Sequence, residues 1–121
     1  MSRRILVVED QEDNRRILRD LLTSVGYEIV NAVNGEEALT AAARDRPDLI
    51  LMDLQLPLLD GYEATRRIKA NPALRAIPII VVTSYALSDD EGKAKAAGCD
   101  AYVAKPYSPR ALLAKIREYV P

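Results

Sequence analysis

The chain has 121 residues, 49% of them apolar, with 17 Lys and Arg against 18 Asp and Glu; that is one compact domain with a real core and no room for a second. A net charge of −1 leaves no polyelectrolyte footprint, so nucleic acid is not an expected partner. The lone cysteine, Cys99, excludes an internal disulfide and a cysteine-based zinc site, and the absence of histidine removes the commonest general base, the usual metal imidazole and any phosphohistidine on this chain.

The first apolar run, Ile5 to Val8, is far too short for a signal peptide or a membrane span and ends in Glu9 and Asp10. A reducing cytoplasm, with no membrane partner, is the expected setting. A first helix follows, with Ile17, Leu18, Leu21, Leu22 and Val25 on one face and Gly26 as a left-handed stop. The run Tyr27 to Ala32 is mixed in polarity, and the second helix opens on Asn34 with Glu37 three residues later.

Leu49 to Met52 is apolar throughout and then ends in Asp53, where a buried and unpartnered carboxylate would cost several kcal/mol. Asp53 therefore needs a partner or an exit. Asp60 and Gly61 read as a turn into the third helix, with Gly61 supplying a positive φ or a close approach. Ile79 to Val82 is a fourth run, ending at Thr83. Ser88 with Glu91 marks the start of a fourth helix, which carries Gly92 and mostly alanine, so its anchoring should be weak. Ala101 to Ala104 leads to Lys105, and Ser108 before Pro109 opens the fifth helix.

Strand and helix thus alternate five times, the pattern of an α/β, doubly wound parallel sheet with right-handed crossovers. The wholly apolar first, third and fourth runs suit central strands, and the mixed second and short fifth suit edges. The expected arrangement is a flavodoxin-like (βα)5 fold of strand order 2-1-3-4-5, filling residues 1–121 as a single domain.

Ligands in such sheets bind beyond the carboxyl ends of the strands where the order reverses, here between the first and third strands. Glu9, Asp10, Asp53, Thr83 and Lys105 all fall on that rim. Neighbouring strands lie about 4.8 Å apart, which brings Asp10 and Asp53 within reach of one cation. Acids, an amine and a hydroxyl form a hard-ligand set suited to Mg²⁺. Asp53 is then a nucleophile forming an aspartyl phosphate, with Lys105 neutralising and Thr83 hydrogen-bonding the transferred group. Taken singly, each has a plainer reading: an Asp after a strand caps a helix or turn, a Thr ends a strand, a Lys is solvated, and Cys99 is inert. Five such groups at four strand ends outweigh those readings.

The segments VVEDQEDNRR, LILMDLQLPLLDGYEATRRIK, IPIIVVTSYA and GCDAYVAKPYS resemble the response-regulator receiver domain of two-component signalling, CheY-like, and within it stand-alone receivers of the DivK type. The resemblance runs from about Arg4 to Val120. It implies Asp53 as phosphoacceptor, Asp10, Asp53 and the Gln55 backbone carbonyl as direct Mg²⁺ ligands, and Glu9 as a ligand through water. It further implies that Thr83 and Lys105 hold the phosphoryl group, that Tyr102 is an aromatic switch partner of Thr83, and that Lys105 to Pro106 is a cis peptide. Tyr102 read alone is edge-strand cover.

A donor must sit on the same rim as the acids, so Gln11, Asn14, Arg15, Leu18 and Tyr107 are the expected docking residues. The implied partners are a sensor histidine kinase or a histidine phosphotransfer protein and a downstream protein. Output is expected through the fourth helix, fifth strand and fifth helix, with a phosphorylation-dependent dimer as one form. No output domain is expected within 1–121. Three rivals share the fold. A dinucleotide or flavin binder would want glycines or hydroxyls where Glu9 to Asp13 stand. An aspartyl-phosphate phosphatase would want a carboxylate where Gln55 stands. A pseudo-receiver would bind partners without phosphorylation.

Overall fold

Strands and helices alternate along the chain as β1 (Arg4–Val8), α1 (Glu12–Ser24), β2 (Glu28–Ala32), α2 (Gly35–Asp45), β3 (Leu49–Asp53), α3 (Gly61–Ala70), β4 (Ile79–Thr83), α4 (Asp90–Ala97), β5 (Ala101–Ala104) and α5 (Pro109–Arg117). The structure, a computed structural model, describes residues 3–54, 56–83, 90–105 and 107–121, with side chains left out at 90 and 91. Gln55, Pro106 and Ser88, the expected metal carbonyl, cis peptide and helix start, lie outside the described residues, as does the side chain of Glu91.

The five strands form one parallel sheet of order β2-β1-β3-β4-β5. Burial explains the order. Every residue of β3 and β4 is buried, as is β1 beyond Arg4, whereas β2 is exposed or half-buried up to Ala32 and β5 is half-buried throughout. Apolar strands take the centre because helices cover both of their faces. Leu6, Met52 and Val81 meet Ala38, Ala42, Ala64, Ile68 and Ala94 from α2, α3 and α4 on one face. Val7, Leu51 and Val82 meet Leu18, Leu22, Leu112 and Ile116 from α1 and α5 on the other. Each leucine buried there contributes about 2 kcal/mol.

Local signals set where helices begin. Glu37 N–H donates to Asn34 Oδ1 (2.8 Å) while Val33 N–H donates to Glu37 Oε1 (3.1 Å), a reciprocal cap on α2. Asp60 Oδ1 accepts from Glu63 N–H (2.9 Å) on α3, and Ser108 Oγ accepts from Ala111 N–H (3.0 Å) on α5. Gly26 takes φ 97° after α1, as its position predicts. Gly61 does not need a positive φ. A Cβ there would lie 2.2 Å from the Asp53 carbonyl oxygen, so close approach is its reason for being glycine.

One expectation about α1 is corrected. Leu18 and Leu22 are its buried residues, while Ile17 is 62% and Val25 39% exposed. Five apolar positions make a stripe wider than one buried face needs, so its flank turns to solvent.

Candidate functional site

Strand register builds the site. Val8 pairs with Met52, so Glu9, one residue past β1, stands level with Asp53 at the end of β3. Thr83 pairs with Ala104, and Lys105 N–H donates to the Thr83 carbonyl (2.6 Å), which places the lysine beside the end of β4. Alternation along the strands then sorts the side chains. Glu9, Asp53 and Lys105 follow Val7, Leu51 and Val103 toward α1 and α5, whereas Thr83 follows Val81, on the face that Tyr102 shares. Tyr102 pairs with Val81 and packs partly buried against that core.

Glu9 and Asp53 are buried, at 3% and 7% exposure, and Asp10 stands exposed at the mouth. Lys105 Nζ lies 3.2 Å from Glu9 Oε1 and 3.5 Å from Asp53 Oδ2. Burial pulls the ammonium's pKa down, but the charges of Asp53 and then Glu9 outweigh it and hold the pKa above its usual value. It stays protonated. Asp10 is shifted the other way for a carboxyl: desolvation first, then the hydrogen bond and charge of Glu9, raise its pKa above 3.8. Tyr107, half-buried beside them, has a phenol pushed up mainly by burial.

Glu9, Asp10 and Asp53 can each offer one carboxylate oxygen, all within 4.8 Å of one another. An all-oxygen donor set with a surplus of negative charge fits a hard divalent cation of the Mg²⁺ kind. The structure therefore brings together the side chains of Glu9, Asp10, Asp53 and Lys105, with the Thr83 backbone beside Lys105 at the end of β4.

The docking candidates divide. Arg15 turns back to donate to the Glu9 carbonyl (2.9 Å), and Gln11 N–H donates to Glu9 Oε2 (3.2 Å), so both brace the acid as well as bordering the rim. Leu18 is buried rather than displayed. Beside the acids runs a groove of about 360 Å³ lined by Asn14, Ile17, Leu18, Leu21, Tyr107 and Pro109, with Glu9 and Lys105 at its inner end. Exposed Ile17 is the residue that sequence reasoning misplaced. Asn14, Ile17, Leu18 and Leu21 have the spacing of one helix face, but nothing local says which of them turns outward.

Known proteins resemble the chain along its whole length in sequence and in fold. The family profile for the response regulator receiver domain matches residues 5–117. The polar-differentiation response regulator DivK of Brucella anthropi is 43% identical over 120 residues, spanning 99% of this chain and 98% of its own. DivK of Brucella abortus is 42% identical over the same share of each chain. Among solved structures, the receiver domain of the sensor histidine kinase PA1611 of Pseudomonas aeruginosa superposes with a TM-score of 0.92 at 38% identity, covering 99% of this chain and 98% of that one. That structure carries a magnesium ion coordinated in its active site cleft. The chemotaxis protein CheY4 of Vibrio cholerae reaches a TM-score of 0.92 at 27% identity, covering 98% of this chain and 99% of that one.

Proposed function

Because the chain belongs to the response regulator receiver domain family of two-component signalling, we propose that Asp53 accepts a phosphoryl group from a phosphohistidine donor. The observation that carries this reading is Asp53 itself: a buried carboxylate at a strand end, 3.5 Å from a protonated amine and flanked by two further acids. An Asp53 oxygen attacks phosphorus in line with the P–N bond of the donor. That bond breaks, its electron pair leaves with the imidazole, and the new O–P bond is an acyl phosphate. Lys105, held charged, pairs with phosphoryl oxygens, and the Thr83 hydroxyl donates to one of them.

Mg²⁺ held by Asp10 and Asp53, with Glu9 through water and the Gln55 carbonyl as the family resemblance implies, would neutralise charge on the transferring group. The position two residues beyond Asp53 is Gln55, not a carboxylate. Hydrolysis of the acyl phosphate is accordingly slow, and the domain signals rather than turns over substrate.

Receiver domains act with histidine kinases and downstream effectors, and the groove along α1 supports docking of the donor, a sensor kinase or a histidine phosphotransfer protein, on this rim. Output runs through α4, β5 and α5 to a downstream protein or a second copy of the chain. The shared sheet face of Thr83 and Tyr102 supports a coupled switch, in which movement of the hydroxyl toward phosphate opens space for the ring. Support also comes from α4, whose buried described side chains are only Ala94 and Ala97, little apolar area to hold a helix in place.

The test is intact-mass analysis after acetyl phosphate and Mg²⁺. Wild type should gain one phosphoryl group and Asp53→Asn none, while keeping its fold. Unchanged labelling of the variant would place the acceptor elsewhere.

A further inference from the structure

Gly35, the first residue of α2, has no part in the acid cluster, yet it touches the loop that follows Asp53. A Cβ built on Gly35 would lie 2.1 Å from the Leu59 carbonyl oxygen and 2.8 Å from both Leu59 C and Cβ. Non-bonded contacts to a real Cβ essentially never fall under 3.0 Å, so a methyl at Gly35 must displace Leu59 or α2 by about 1 Å. Backbone is the nearest obstacle, and a backbone cannot swing away as a flexible side chain does.

The side that yields is set by anchoring. α2 holds Ala38, Ala41 and Ala42 in the core and carries its reciprocal Asn34 and Glu37 cap. The loop exposes Pro57 and Leu58 to solvent, and Leu58 sits at φ 68°, a conformation that leucine adopts only under constraint. A push on Leu59 therefore moves the loop. Its next residues are Asp60, the α3 cap, and Gly61, whose N–H donates to the Leu54 carbonyl (3.1 Å) and whose Cα lies against the Asp53 carbonyl. The displacement ends on the backbone of the acceptor.

We infer that Gly35 is a positioning residue for Asp53: its missing side chain lets α2 seat against Leu59 and so sets the loop, and through Gly61 the end of β3. The inference rests on the phosphoacceptor reading of Asp53. It runs against helix propensity, by which alanine in place of a helical glycine is ordinarily stabilising.

The experiment compares wild type, Gly35→Ala and Ile116→Val, the last a remote core change on α5 that lowers stability without touching the loop. Labelling by acetyl phosphate and the Mg²⁺-induced rise in melting temperature are both measured well below melting. Gly35→Ala should label about tenfold more slowly, since a misplacement near 1 Å can cost up to about a hundredfold, and should lose most of its Mg²⁺ shift. Ile116→Val should keep both. Amide exchange in wild type supplies a readout independent of any variant. Coupling is reciprocal, so Mg²⁺ should slow exchange at Glu37 and Ala38, in the first turn of α2, more than in the last turn. If Gly35→Ala does not fold, that exchange pattern decides. Wild-type labelling rate and Mg²⁺ shift in Gly35→Ala, or no Mg²⁺-linked protection at Glu37 and Ala38, would overturn the inference while leaving Asp53 as acceptor. A wild type that takes no phosphate would instead remove the reading on which it rests.

Discussion

The two ends of the sheet both carry clustered charge, and they treat it in opposite ways. At the amino end Asp100 Oδ2 accepts from Ile79 N–H and from Lys69 Nζ, both at 2.8 Å. Lys69 also donates to the carbonyls of Arg75 (3.0 Å) and Ile77 (2.8 Å). Asp48 Oδ2 accepts from Arg4 N–H (2.8 Å), and the Arg4 guanidinium reaches the Asp45 carbonyl (2.8 Å) and Glu28. Each acid there closes a strand start or meets a cation. At the carboxyl end, three carboxylates crowd together and one ammonium reaches two of them. Leu58 holds its positive φ there with 78% of its surface exposed, and Thr65, one helical turn beyond Gly61, buries a hydroxyl that has no hydrogen-bond partner among the described residues. The amino end is built for stability, and the carboxyl end carries costs that stability alone does not explain.

The largest expected effect tests the satisfied end. Asp100→Ala leaves the Lys69 ammonium and the Ile79 N–H short of an acceptor, and should lower the unfolding free energy by about 2 kcal/mol. Chemical denaturation measures it, and labelling of Asp53 should not change. Next come two substitutions that should stabilise. Thr65→Val keeps the shape and removes the unsatisfied hydroxyl, for a gain of about 1 to 2 kcal/mol. Leu58→Asn replaces a leucine in the left-handed region with a residue that tolerates it and should gain about 1 kcal/mol. Losses from either would mean that the carboxyl end is no more strained than the amino end.

Periodicity made much of this legible. Three wholly apolar runs, one mixed and one short, with helix-start signals at Asn34 and Ser108, were enough for strand order, because burial on both faces leaves few places for a polar strand. The rim residues followed from the rule that parallel strands end on one side. Side-chain direction on the flank of α1 was not legible. Ile17 and Leu18 are equally apolar, and only the position of the neighbouring strands decides which one turns inward. Nor was Gly35. It resembled an ordinary residue inside the Asn34 and Glu37 cap, and its constraint comes from Leu59, far away in sequence. Arg15 likewise read as a docking charge because nothing local discloses its bond to the Glu9 carbonyl.

If the acid cluster holds a cation at a cost in stability, Asp10 is the residue at which that cost shows. Its carboxyl has a raised pKa in the folded protein, so its contribution to stability is present below about pH 3.8 and is lost as pH rises through the folded value. Metal-free wild type should therefore fall behind Asp10→Asn as pH goes from 4 to 7. At neutral pH in chelator the variant should melt higher by about 2 to 4 °C, as expected for relief of one partly exposed repulsion in a domain of this size. Mg²⁺ should raise the wild-type melting temperature, because it binds only the folded arrangement, and should leave Asp10→Asn nearly unmoved. Scanning fluorimetry of both proteins at pH 4 and 7, with Mg²⁺ and with chelator, reads all of this at once. A wild type indifferent to Mg²⁺, with Asp10→Asn no more stable at neutral pH, would mean that the three carboxylates are not a cation site.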